Sequence, residues 1–192
     1  MFAVPVIVAS LIAMFGSAWI AAPVDGLGAQ VRAILKLQRA RWPAESIKSV
    51  ETALVEKDVP ALHKALDEMV FLRVGINPEG RVRLSRGVAA AELVVDRPAV
   101  FLIKIENLSG GQQRLTPRGS FAADDANPFA LGLKKAEGLG ADLVGLPIEY
   151  RLLEVSASKS GRSELTIAFQ AGQGSEDLGF RSDVPVLFKV KR

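Results

Sequence analysis

The segment SELTIAFQA, residues 163–171, decides the fold, because its side chains alternate between two faces. Leu165, Ile167 and Phe169 fall on one face, while polar side chains occupy most of the other. An alternation with period two is typical of a strand that buries one face and exposes the other to water. This segment therefore predicts a half-buried β-strand.

Other segments have a similar pattern, in which short runs of Val, Ile, Leu and Phe are bounded by the turn residues Gly, Pro, Asn and Ser. The predicted strands are 70–76, 81–86, 99–106, 148–158 and 184–190. In strand 99–106 we expect three side chains inward and three outward, namely Phe101, Ile103 and Ile105 against Leu102, Lys104 and Glu106. Residues 77–80 are predicted to form a turn, and 159–162 a hairpin loop.

The region before residue 70 has helical rather than alternating periodicity. Apolar residues at spacings of three and four predict helices at 26–41, 44–57 and 59–70, with Asp58 as the N-cap of the third. The weakly periodic segment 122–142 predicts a long connection, or a short helix near 128–137.

Together these patterns indicate about seven to nine strands without alternating helices, which favours a sandwich over a parallel α/β fold. The expected fold is mainly β: an antiparallel β-sandwich of the immunoglobulin or fibronectin type. A helical hairpin and an apolar leader helix precede it. The expected divisions are a leader at 1–24, a helical segment at 25–70 and the β-sandwich domain at 71–192.

The first 24 residues contain none of the 24 basic and 21 acidic side chains of the chain. An apolar run of this length suits a signal peptide or a membrane anchor. Small residues allow cleavage after Ala18 or Ala22, whereas Trp19 and the basic residues from Arg32 onward suit an anchor. A wrongly assigned start is the third alternative. We expect a periplasmic or secreted protein, or one anchored in the membrane by this segment.

The composition restricts the chemistry. The chain has no Cys and one His, which excludes disulfides, thiolate metal sites and most zinc chemistry. The net charge of +3 implies no nucleic-acid partner. His63 is expected to be a surface or half-buried helix residue rather than a ligand. No G-x-S-x-G motif and no nucleotide fingerprint occurs, so we expect neither an enzyme nor a cofactor.

Two acidic clusters and one basic face are the remaining candidate sites. Asp124 and Asp125 offer oxygen ligands for calcium, although a solvated turn explains them better. Asp177 lies in a second acidic patch, where one ion pair, of Arg181 with Asp177 or Asp183, is the simpler explanation. Arg81 and Arg83 share one face of a predicted strand and form either a binding patch or a solvated face.

Several segments together resemble a known accessory domain. They are 76–82, 87–93, 101–107, 146–151, 172–174, 177–181 and 184–188. This pattern is similar to the β-domain that precedes the catalytic domain in CehA/McbA-like metallohydrolases of planctomycetes and other environmental bacteria. The resemblance implies an accessory β-domain. It carries over no catalytic residue, because the His-rich catalytic domain of that family has no counterpart here.

The leading hypothesis is an exported, non-enzymatic β-sandwich that binds or scaffolds another protein or an envelope polymer. One alternative is an accessory domain or subunit of a metal-dependent hydrolase whose active site lies on another chain. Another is a membrane-anchored subunit of a larger complex, which contacts the membrane through residues 1–24.

Overall fold

The computed structural model of the chain describes residues 21–121, 126–136, 138–172 and 182–192, with side chains from Gly26 onward. Three helices precede the strands in these ranges: α1 (Ala21–Gln38), α2 (Ala44–Glu56) and α3 (Val59–Asp67). The strands are β1 (Val70–Ile76), β2 (Val82–Arg86), β3 (Glu92–Val94), β4 (Ala99–Asn107), β5 (Leu115–Ser120), β6 (Phe129–Leu133), β7 (Ile148–Ala157), β8 (Gly161–Ala171) and β9 (Asp183–Lys191). The prediction of a mainly β chain with an N-terminal helical region is confirmed.

The helices form where the periodicity predicts them. Pro43 immediately precedes α2, which ends at Glu56, and the C-cap residue Lys57 has a left-handed φ of 55°. The Asp58 side chain accepts a hydrogen bond from the Ala61 amide at 3.0 Å, so the predicted N-cap of α3 is confirmed. None of the helices in the described ranges combines the length and the apolarity that crossing a bilayer requires.

The strands form two sheets. One has five strands in the order β2-β1-β4-β7-β6, and the other has four in the order β3-β9-β8-β5. The expectation of purely antiparallel pairing is wrong, because β1 runs parallel to β4 and β3 runs parallel to β9. Side-chain alternation specifies which face of a strand is buried, and it carries no information on the direction of the neighbouring strand.

The predicted hairpin across residues 159–162 is wrong as well. β7 pairs with β4 and β6, whereas β8 pairs with β5 and β9 in the other sheet. Both edges of β7 are therefore occupied near its end, and the chain crosses to the second sheet. Segment 128–137 also differs from the prediction, since β6 is a strand on β7 rather than a connection or a helix.

The two sheets share one apolar core. Phe71 and Phe101 of the five-stranded sheet stack with ring centroids 4.2 Å apart, and Phe188 of the other sheet lies 5.8 Å from Phe71. Phe101, Ile103 and Ile105 are all buried in this core, as predicted. The cluster draws on both sheets, so burial between them positions the central strands β4 and β7.

The opposite face of the five-stranded sheet is also covered. Leu102 and Lys104, which were expected to point into solvent, are only 2% and 6% exposed. Leu102 packs in a second apolar cluster with the side chains of all three helices. The expectation failed because α1, α2 and α3 dock on this face, while Glu106 beyond them stays exposed as predicted.

A substitution at Gly87 tests the close contact between β1 and the turn after β2. A Cβ at this position would lie 2.0 Å from the Val70 carbonyl oxygen, which is backbone and cannot rotate away. We expect Gly87→Ala to lower the free energy of unfolding by about 3 kcal/mol in urea titrations. Gly132→Ala is the matched control, because nothing lies within 4 Å of its Cβ. Equal stabilities for the two variants would contradict this packing.

Candidate binding surface

Arg81 immediately precedes β2 and Arg83 lies within it, and both side chains are exposed. The Arg81 amide donates to the Asn77 side chain at 2.7 Å, which closes the turn between β1 and β2. Arg83 lies opposite Gly75 of β1. The other predicted site residues, Asp124, Asp125, Asp177 and Arg181, lie outside the described residues.

Asn107, the last residue of β4, organises the loop that follows it. Its side-chain Nδ2 donates to the Gly111 carbonyl at 2.9 Å, and its Oδ1 accepts from the Ser109 hydroxyl at 2.6 Å. The Gln113 Nε2 then donates to the same Ser109 hydroxyl at 2.9 Å. These side-chain bonds replace the solvent that would otherwise satisfy loop groups, so the loop 108–113 has a defined conformation.

Glu149, which is fully buried near the start of β7, organises a second loop. Its Oε1 accepts from the amides of Gly145 and Leu146 at 2.9 and 3.1 Å. Its Oε2 accepts from the Val144 amide at 3.1 Å. Three consecutive amides therefore converge on one carboxylate, which fixes residues 144–146.

Arg151 supplies the charge that balances Glu149. Its Nη2 donates to the Glu149 carboxylate at 2.7 Å and to the Asp142 carbonyl at 2.8 Å, and its Nε donates to the Gly140 carbonyl at 2.8 Å. Gln30 of α1 completes the network, donating to Glu149 at 3.2 Å and accepting from the Tyr150 amide at 3.1 Å. A buried ion pair of this kind holds only because its remaining polar groups are satisfied.

The two loops meet at one end of the molecule. The Asn107 amide donates to the Pro147 carbonyl at 2.9 Å, and the backbone of Gly145 approaches that of Gly110. Leu108 and Val144 project from these loops with 70% and 53% of their surface exposed. We call residues 108–111 and 144–146 the loop surface.

A second polar cluster lies between α3 and the five-stranded sheet. His63 Nδ1 lies 2.8 Å from the hydroxyl of the buried Tyr150. Lys104 Nζ lies 2.9 and 3.1 Å from the two carboxylate oxygens of Asp67, which also pairs with Arg73 at 3.5 Å. His63 is half-buried, as predicted. We call His63, Asp67, Arg73, Lys104 and Tyr150 the helix seam.

Electrostatics keep the His63–Tyr150 pair in one protonation state near neutral pH. Burial lowers the pKa of His63, the Lys104 charge lowers that pKa further, and the Asp67 carboxylate partly opposes the shift. Burial raises the pKa of Tyr150, and the Asp67 charge adds to this rise. Tyr150 therefore keeps its proton beside a neutral imidazole, and the pair joins α3 to β7.

Within the described ranges, no three His, Cys, Asp or Glu side chains lie close enough together to hold a metal ion. The polar groups of the helix seam and of the Glu149 network instead bond one another. The sequence reasoning missed Asn107, Glu149 and Arg151. For Glu149 and Arg151 a signal was present, because they lie four and two residues before Leu153, on the same face of the predicted strand 148–158 as that apolar side chain.

Comparison with known proteins assigns no family. No protein-family model and no curated protein matches the chain. Domains 4 and 5 of the S-layer protein SbsC are similar over 54% of this chain and 47% of that one, at 13% identity and a TM-score of 0.31. An extracellular fragment of EsaA from Streptococcus gallolyticus is similar over 89% and 44%, at 7% identity and a TM-score of 0.33. The chain thus spans less than half of either structure, and similarities this low assign no function.

Glu149 tests whether the buried network holds the second loop. Glu149→Gln removes the charge that balances Arg151 and places an amide NH₂ among donors. We expect a loss of about 3–5 kcal/mol in the free energy of unfolding, measured with urea. Glu154→Gln on the same strand removes a half-exposed partner of Lys134 and should cost less than about 1 kcal/mol. A small effect at Glu149 would show that the network is dispensable.

His63 gives the helix seam a pH dependence. The folded-state pKa lies below the ordinary value of 6.5, so the unfolded chain binds the proton first as pH falls. Stability is therefore highest above pH 6.5 and decreases as the pH falls from 6.5 towards the folded-state pKa.

We expect urea midpoints of the wild type to fall between about pH 7 and pH 5 more steeply than those of His63→Asn, whose side chain does not titrate. No other histidine contributes in this window, because the chain contains one. Parallel pH profiles for the two proteins would contradict the assignment.

Proposed function

We propose that this chain is an exported, non-enzymatic β-sandwich module of the immunoglobulin or fibronectin type that binds a partner protein. The loop surface is the binding site. The observation that carries this proposal is the exposure of Leu108 and Val144 on two loops whose backbones are held by buried side chains.

Rigid loops with exposed aliphatic side chains suit protein recognition. A flexible loop loses conformational entropy when a partner orders it, and a loop already held in place avoids most of that loss. Asn107 and Glu149 supply this order from within the fold. Apolar side chains at the centre of an interface contribute binding free energy when the partner removes them from water.

The chemistry of the polar groups supports a binding role over catalysis. His63 and Tyr150 bond each other in the helix seam, and Lys104 is paired with Asp67. Each therefore has a structural partner, and the buried Tyr150 and Lys104 offer little surface to a substrate. The pairing of these groups explains their presence without a reaction.

The apolar leader at residues 1–24 supports an envelope or extracellular location. The resemblance to the accessory β-domain of CehA/McbA-like metallohydrolases agrees with a module that assists other proteins. A partner in the cell envelope, recognised through the loop surface, accounts for both features.

Removal of the two exposed side chains tests the proposal. We expect Leu108→Ser with Val144→Ser to weaken partner binding about tenfold, because two apolar contacts leave the interface. Tagged chain is purified from the native envelope fraction, its companions are quantified by mass spectrometry, and affinity for the main companion is then measured by calorimetry.

Val88→Ser with Leu187→Ser is the matched control, since these side chains are 71% and 58% exposed elsewhere on the fold. The proposal requires that the control retain the companion. Equal retention by both double variants would exclude the loop surface. Metal-dependent hydrolysis of esters or phosphoesters by the purified chain would overturn the non-enzymatic assignment.

A further inference from the structure

Helix α1 runs along β7 and has its N-terminal end at the loop surface. A Cβ added to Gly26 would lie 3.5 Å from Cδ1 of Leu146, within the loop surface. At the other end of the helix, the Gln38 side chain donates to the Val100 carbonyl at 3.4 Å, and Val100 belongs to the part of β4 that pairs with the second half of β7. The N-terminal end of α1 and the beginning of β7 therefore lie at the same end of the molecule.

Buried contacts hold α1 in this position. Leu27 and Val31 are buried in the apolar cluster between the helices and the sheet. Gln30 donates to the Glu149 carboxylate and accepts from the Tyr150 amide. Because these contacts begin one residue after Gly26, the chain leaves the folded body directly beside the loop surface.

The sequence that precedes Gly26 is apolar. Residues 1–24 carry no charged side chain, and a stretch of about 20 such residues matches the hydrocarbon thickness of a bilayer. Only residues 21–25, which belong to α1, separate residues 1–20 from Gly26. A segment of this length spans roughly 8 Å as a helix and about 17 Å when fully extended. An anchor formed by residues 1–20 therefore keeps the loop surface within this distance of the membrane.

This short separation restricts the kind of partner that reaches the loop surface. A small globular domain is about 30 Å across, which exceeds the separation of roughly 8 to 17 Å. A soluble domain therefore does not fit between the loop surface and the bilayer. A protein embedded in the same membrane presents its own surface at this height, where it removes Leu108 and Val144 from water.

We propose that residues 1–24 are retained as a membrane anchor, that the loop surface faces the bilayer, and that its partner is an integral membrane protein. The proposal rests on the protein-binding role proposed above and names the class of partner. It also gives α1 a role, since the contacts of Gly26 and Gln30 fix the position of the anchor relative to β7 and the loop surface.

Single cysteines test the orientation, because the chain contains none of its own. The full chain is reconstituted in phosphatidylcholine nanodiscs in which some of the lipids carry a nitroxide quencher on the headgroup. We expect a fluorophore on Leu108→Cys or on Val144→Cys to lose most of its emission, because quenching by a nitroxide requires close approach.

Val88→Cys is the matched control, because it lies beyond the opposite end of β1. The Ala89 amide bonds the Val70 carbonyl at the start of this strand, and the Leu108 amide bonds the Ile76 carbonyl at its end. The strand separates the two positions by roughly 20 Å at about 3.3 Å per residue, so the control fluorophore should keep most of its emission. Equal quenching at both ends, or stronger quenching at position 88, would overturn the orientation.

Photocrosslinking in native cells tests the class of partner. Benzoylphenylalanine replaces Leu108 in the full chain, and it replaces Val88 in the control. We expect an adduct specific to position 108, with a protein that stays in the membrane during extraction with alkaline carbonate. A companion that carbonate releases, or no specific adduct at all, contradicts the proposal. Adducts with lipid alone identify the bilayer surface as the ligand instead.

The intact mass of the chain from native membranes tests whether the anchor is retained. We expect a mass that includes residues 1–24, whereas loss of the residues up to Ala18 or Ala22 overturns the proposal. Such a loss leaves the loop surface standing as a binding site, because the double serine variant tests that surface separately. Retention of the companion by that variant excludes the loop surface whatever its orientation.

Discussion

The five-stranded sheet is covered on both faces, and this constraint determines most of the structure. One face packs against the four-stranded sheet, and the other packs against the three helices. Strands β4 and β7 in its centre therefore have few side chains in water. A polar group on these strands loses its hydration and destabilises the fold unless another group bonds it.

Three pairings meet this requirement, and each joins separate parts of the chain. Lys104 of β4 pairs with Asp67 at the end of α3, and Tyr150 of β7 bonds His63 of the same helix. Glu149 pairs with Arg151 and also bonds Gln30 of α1. Apolar packing holds the helices on the sheet, and these bonds select one docked arrangement, because a shifted helix would leave buried charges unpaired.

Buried polar side chains also hold the surface loops at the ends of the central strands. The Glu149 carboxylate binds three loop amides, and Asn107 holds the neighbouring loop. At the far end, the turn after β3 is held by hydrogen bonds from the Val95 amide to the Lys191 carbonyl and from the Asp96 amide to the Ala157 carbonyl. The proposed loop surface thus lies on loops whose conformation is set by buried side chains rather than by a ligand.

Local pattern by itself determined where the three helices and the strands β1, β2, β4, β7, β8 and β9 lie. The periodicity of β1, β4, β7, β8 and β9 depends only on which side chains prefer water, and the Asp58 cap depends only on its own helix. Tertiary structure alone decided the parallel pairs, the crossing after β7, the strand at 129–133 and the burial of Leu102 and Lys104. These features depend on contacts between segments far apart in sequence. The alternation of side chains along one strand specifies neither the direction of the neighbouring strand nor what covers the second face of the sheet.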